Sequence, residues 1–177
     1  MSKIVMQPAA FARKQMLIDG AWVDATDGQV FEIENPARKE KIGQAPRAQA
    51  TDVDRAVAAA AKAFPAWSKV VARDRGRLLL KIADALESRV EDLARIIATE
   101  TGNALRTQAR PEARGVADTF RYFGGLASEL KGDTFPLGDN VLSYTRREPI
   151  GVVAAIVPWN APGVLSAMKI APAVCAG

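Results

Sequence analysis

The chain has 177 residues, 49% hydrophobic and 25% charged, which is material for one globular domain or part of a larger one. It holds no histidine and one cysteine, Cys175, which removes Ser-His-Asp and Cys-His catalysis, His-based zinc sites, an intrachain disulfide and CxxC chemistry. A net charge of +4, with Lys and Arg interleaved among Asp and Glu, does not make a nucleic-acid face, and no apolar stretch approaches the ~18 residues of a membrane span.

The opening MSKIVMQPAAFARKQ lacks the continuous apolar stretch of a secretory signal, so cytoplasm is the expected compartment. From Leu17 to Pro46, short apolar runs are broken by turn chemistry. LIDGAWVDATDGQVFEIENP carries the hairpin-type dipeptides Asp19-Gly20 and Asp27-Gly28, with Val30, Phe31 and Ile33 following and Pro36 and Pro46 as punctuation. This predicts a small antiparallel sheet. The middle is helical: Thr51 followed by Asp54 resembles a capping arrangement, and VDRAVAAAAKAF is rich in strong helix formers. Leu78, Leu79, Ile82, Leu86, Val90, Leu93, Ile96 and Ile97 recur near helical spacing, and Thr101-Gly102 supplies a stop. A further helix is expected from Glu112 to Leu130. Core packing accounts for all these stripes.

KGDTFPLGDN then breaks the helix, and VLSYTRREP suits one arm of a two-stranded ribbon with an exposed face. GVVAAIVP, from Gly151, is β-branched and continuous, the pattern of a parallel strand covered on both faces. GVLSAMKIAPAVCAG reads as the helix that crosses over it. A parallel strand needs neighbours, and none remain in the sequence. The expectation is that these residues are the front of a longer protein, or work beside another chain.

Ligands of open parallel sheets sit where strands hand over to helices, which here is Ile156 to Asn160. The glycine-rich phosphate fingerprint is absent, since the turn reads VPWNAPG. Asn160 stands between an oily strand and an oily helix, where a buried amide is costly unless its hydrogen bonds are met. Spacing favours a helix N-cap, with Oδ1 accepting a backbone N–H and Pro162 in the first turn. The amide can also donate from Nδ2 to a developing oxyanion, worth ~2.7–4 kcal/mol of transition-state stabilisation, and the two roles are compatible. Lys169, the lone charge after Gly163, is either a lysine with a packed stem or a proton relay. Cys175, near a helix C-terminus among alanines, lacks what stabilises a thiolate and reads as a small core residue.

The stretch GVVAAIVPWNAPGVLSAMKIAPAVCAG, preceded by LSYTRREP, closely resembles the NAD(P)-dependent aldehyde dehydrogenase superfamily. LIDGAWVDA, ENPARKEKIGQAP, RGRLLLKIADALE and ETGNAL fall in the order of that family's N-terminal half, so the similarity runs from about Leu17 to Gly177. The PWN element followed by KIAPA is specific; the helical middle is less so. The resemblance implies an α/β fold: a small antiparallel sheet plus helices, an oligomerisation ribbon and the first βα unit of a Rossmann-like parallel sheet. The implied divisions are an N-terminal arm over 1–16, a strand-and-helix part over 17–131, the ribbon over 132–150 and a truncated strand–helix unit over 151–177.

It further implies aldehyde oxidation through a cysteine thiohemiacetal, hydride transfer to NAD or NADP and thioester hydrolysis. Asn160 maps onto the oxyanion donor and Lys169 onto a proton relay. Ile156, Val157, Pro158 and Trp159 map onto cofactor contacts, and Ala161, Leu165 and Met168 onto the substrate tunnel. The expected partners are a small-molecule aldehyde and further copies of the chain, as a homodimer or homotetramer through 132–150, with no metal, nucleic acid or membrane. Two departures stand out. The family's nucleophile and general base fall beyond Gly177, so the chain alone is expected to be inactive. Many relatives carry aromatic residues where this chain has Ala161 and Met168, which disfavours betaine aldehyde and implies an open, apolar tunnel for an uncharged aldehyde. The alternatives are a truncated, non-catalytic relative acting as an association or scaffold module, and an unrelated helical binding module.

Overall fold

A computed structural model describes residues 15–177, so the expected arm over 1–16 lies almost wholly outside the described residues. Strands β1 (Met16–Ile18) and β2 (Ala21–Val23) pair antiparallel about Asp19-Gly20. Both turn residues take positive φ, 50° and 76°, as this tight hairpin turn requires. Strands β3 (Val30–Asn35) and β4 (Glu40–Pro46) form a second ribbon. The expected single sheet is therefore two separate ribbons. Asp27-Gly28 does close a turn, with the Gly28 N–H donating to the Ala25 carbonyl at 2.8 Å, but it joins strands that do not pair. The physical reason lies in Thr26, which is tied to the first helix rather than left to bring β3 beside β2.

That tie is Asp52. Helix α1 (Ala50–Trp67) starts one residue before Thr51, with Gln49 as its N-cap, so the expected Thr51/Asp54 cap is displaced. Asp52 Oδ2 accepts the Gln49 N–H at 3.0 Å, while Oδ1 accepts the Thr26 hydroxyl at 2.6 Å and the Arg55 guanidinium at 3.3 Å. The Asp52 carboxyl is fully buried. The Gln49 N–H first, then the Thr26 hydroxyl and N–H, hold its pKa down at about 2. A depressed pKa stabilises the fold above the unfolded-state value near 4, and that stabilisation is lost as pH falls toward about 2. The thermal midpoint is therefore expected to drop through this window, and Asp52→Asn to flatten that slope. An unchanged slope in the variant would refute the assignment.

A helical layer follows: α2 (Ala72–Glu87), α3 (Val90–Thr101) and α4 (Arg110–Leu126). The periodic run expected over 78–97 breaks at Ser88–Arg89, giving two helices. Gly102, with φ 76°, ends α3 in the left-handed conformation that Thr101-Gly102 predicts. A π-helical turn at Leu105–Ala109 leads into α4, and a 3-10 turn at Ala127–Glu129 extends it close to the predicted end at Leu130. Helices α2 and α4 touch backbone to backbone, since a Cβ on Gly76 would lie 2.6 Å from the Gly124 carbonyl oxygen. The core joins Leu79, Ala83, Val116, Phe120 and Ala127 to Ala167, Ala171 and Cys175 of α5 (Pro162–Ala176).

Between them projects the expected ribbon, β5 (Thr134–Pro136) paired antiparallel with β6 (Leu142–Tyr144), with Leu142 and Tyr144 exposed. Residues 151–158, read from sequence as a parallel strand, form none. A parallel ladder needs partner strands, and no other strand among the described residues pairs with this stretch. Its apolar side chains stay in the open, Ile156 at 89% and Val153 at 53% exposure. No helix among the described residues is long and apolar enough to cross a membrane.

Candidate functional site

The site is built around the start of α5. Pro162 occupies the first helical position, where its missing N–H costs nothing, and Ala161 sits at the N-cap with φ −147°. Alanine has no side-chain acceptor, so the next N–H groups need one from elsewhere. Asn160 does not supply it: its residue is exposed, and its side chain makes no hydrogen bond among the described residues. The acceptor is Glu112, on α4, whose Oε1 takes the Gly163 N–H at 2.8 Å and the Val164 N–H at 3.4 Å. Gly163 lets α4 come this close, because a Cβ there would lie 3.1 Å from Ile97 Cδ1 and 3.2 Å from Glu112 Oε1.

Asn160 is held by its backbone instead. Its carbonyl accepts from Asn103 Nδ2 at 3.2 Å, just past the left-handed end of α3. The expected cap and the expected burial of Asn160 are thus both corrected. Another residue does the capping, and the solvent-facing amide keeps its donor and acceptor free.

Ala161, Leu165 and Met168 recur at i, i+4 and i+7, with Lys169 beside Met168, so all four fall along one flank of α5. Leu165 is half-buried, while Met168 and Lys169 are exposed. No hydrogen bond or ion pair joins Lys169 to Asn160 among the described residues. Ile156, Pro158 and Trp159 are exposed and Val157 half-buried along the unpaired approach. Trp159 also borders a cavity of about 270 Å³ beside Phe31, Ile33, Pro36 and Glu100, where burial pushes the Glu100 carboxyl pKa up. Cys175 lies in the core, its thiol donating to the Phe123 carbonyl at 3.2 Å. Burial pushes that thiol's pKa up, against the opposing pull of the Arg75 guanidinium.

Sequence reasoning missed Glu112 and Asn103. Glu112 lies 51 residues before Gly163, whose N–H it accepts, and no local pattern signals such a contact. Asn103 carried a hint, as a polar residue directly after a helix-ending glycine.

A family model described as "Aldehyde dehydrogenase family" matches residues 22–177. An aldehyde dehydrogenase of Aspergillus niger is 42% identical over 163 residues, covering 92% of this chain and 33% of its own length. Among solved structures, PnpE in complex with nicotinamide adenine dinucleotide is 44% identical with a TM-score of 0.89, over 93% of this chain and 34% of that one. A mutant aldehyde dehydrogenase from Bacillus cereus is 34% identical with a TM-score of 0.93, over 99% of this chain and 37% of that one. The chain spans about a third of the length of the curated relatives it matches.

Proposed function

This chain belongs to the aldehyde dehydrogenase family, and we propose that it forms the N-terminal part of an enzyme oxidising an aldehyde to a carboxylic acid with NAD or NADP. The observation that carries this is the freed amide of Asn160. Its backbone is fixed at the carbonyl by Asn103, and the next helix is capped by Glu112. A donor held by its backbone and free at its side chain suits an oxyanion that develops during attack on a carbonyl. Lys169, further along α5, stands open to solvent, where it can pass protons to water.

Ile156–Trp159 are the proposed cofactor contacts. Apart from the half-buried Val157, they offer exposed apolar side chains on an unladdered backbone, which fits a ligand of flat rings with polar edges. Bound there, the nicotinamide supplies a hydride acceptor. Ala161, Leu165 and Met168 offer the aldehyde an apolar wall without an aromatic face, favouring uncharged substrates over a quaternary ammonium. The nucleophile is proposed to be a cysteine outside these residues, because Cys175 is buried and its thiol pKa is raised. The ribbon's exposed Leu142 and Tyr144 suit contact with a second copy of the chain.

The test compares the 177-residue chain with the enzyme extended beyond Gly177, in one assay of aldehyde-dependent NADH formation and one measurement of size. Turnover is expected only from the extended enzyme, fastest with uncharged aldehydes, and from a species larger than a monomer. NADH formation by the short chain alone would overturn the external nucleophile. A monomeric active enzyme would overturn the role of the ribbon, and a preference for betaine aldehyde would overturn that of the tunnel.

A further inference from the structure

Within the oxyanion assignment just proposed, on which this inference rests, we propose that Glu112 is a positioning residue that aims Asn160. A helix start ordinarily takes its cap from the residue before it, and that side chain serves the second or third helical N–H. In α5 those two donors are Gly163 and Val164, and both go to Glu112 Oε1. The helix therefore begins where α4 dictates. The carboxyl also sits at the positive end of the helix dipole, which favours an acidic side chain there.

Three contacts fix the level at which α5 begins. Glu112 grips the first turn, Gly163 admits Ile97 and Val116 so closely that a Cβ would crowd both, at 3.1 and 3.3 Å, and Asn103 holds the Asn160 carbonyl. Asn160 is separated from the gripped N–H of Gly163 only by Ala161 and Pro162, and Pro162 has a fixed φ. Moving the carboxyl away lets the first turn fray, and Asn160 is carried with it. A local cap would use up Asn160 Oδ1 and orient its amide toward the helix; the remote cap removes that demand. Asn160 supplies the donor and Glu112 decides where it points.

The experiment is a double-mutant cycle in the extended enzyme between Glu112→Ala and Asn160→Ala. Glu112→Ala alone is expected to lower kcat about ten-fold with KM little changed, since a misplacement of ~1 Å can cost up to ~10²-fold. Glu112→Gln, which keeps an acceptor oxygen, is expected to restore most of the loss. In the Asn160→Ala background, Glu112→Ala is expected to change kcat no further, a coupling that a merely structural role does not produce. Equal losses in both backgrounds, or an unchanged kcat in Glu112→Ala, would overturn the positioning role while leaving the oxyanion donor standing. A normal kcat in Asn160→Ala alone overturns the donor, and the positioning role with it. If the alanine variant does not fold, Glu112→Asp runs the same cycle with a carboxyl of shorter reach.

Discussion

Replacing Asn160 with alanine in the extended enzyme is expected to lower kcat by about 10²–10³-fold, the range found when one oxyanion donor is removed. The loss should fall on kcat and kcat/KM alike, because the proposed contact is one that forms only as charge develops on the carbonyl oxygen. The fold gives the variant little reason to unfold, since the Asn160 side chain is exposed and hydrogen-bonds nothing among the described residues. Alanine keeps the carbonyl that accepts from Asn103. Melting of the variant is therefore expected to match that of the parent within about 0.5 kcal/mol, as for an exposed substitution. A variant with full kcat, or one whose activity falls only because the protein melts, is the result that would count against the donor.

The largest expected effect on stability belongs to Arg75. This side chain is buried at 8% exposure on α2, yet its guanidinium reaches three backbone carbonyls. Nε donates to Cys175 at 3.0 Å, Nη2 to Ala176 at 3.3 Å and Nη1 to Val70. Two of these are among the last carbonyls of α5, which no helical N–H can satisfy, and a cation suits that end of a helix. Arg75→Met keeps much of the stem but strands three carbonyls, that of Cys175 buried and those of Val70 and Ala176 partly so. Unsatisfied groups of this kind cost ~1–3 kcal/mol each, so the expected loss is about 3–5 kcal/mol after partial access to water. Arg75→Lys should recover only part of it, because an ammonium lacks the planar fork that meets all three. Urea unfolding of the 177-residue chain measures this directly, and a loss below about 1 kcal/mol would show that water replaces the clamp.

Much of this architecture is written locally in the chain. Asp19-Gly20 makes its hairpin because both residues tolerate positive φ, and Gly102 stops α3 because glycine takes the left-handed conformation at its C-cap. What local pattern leaves open is which side of a stripe faces inward. Leu78 and Leu79 look alike in sequence, but Leu79 is fully buried and Leu78 is 43% exposed, because the Gly76–Gly124 crossing sets the rotation of α2. The stretch over 151–158 has a strand's composition without a strand's structure, since composition cannot supply partners. In the candidate site, the PWN element marked the segment, but the role of Asn160 could not be divided from capping by spacing. That division became visible only through Glu112, brought to Gly163 by the packing of two helices.

The fastening of α5 at both ends also fixes when it can form. The helix is 15 residues long and holds Pro172 in its interior, which removes a hydrogen bond and strains the turn before it. Even good helix formers of that length are marginal alone in water. Its first turn waits for Glu112, and its last for Arg75 and for the Trp67 indole, which donates to the Val174 carbonyl at 3.2 Å. Helices α1, α2 and α4 bring those residues, so α5 condenses onto a layer that is already assembled. The segment proposed to carry the chemistry is then among the last to acquire its shape and, on partial denaturation, among the first to lose it.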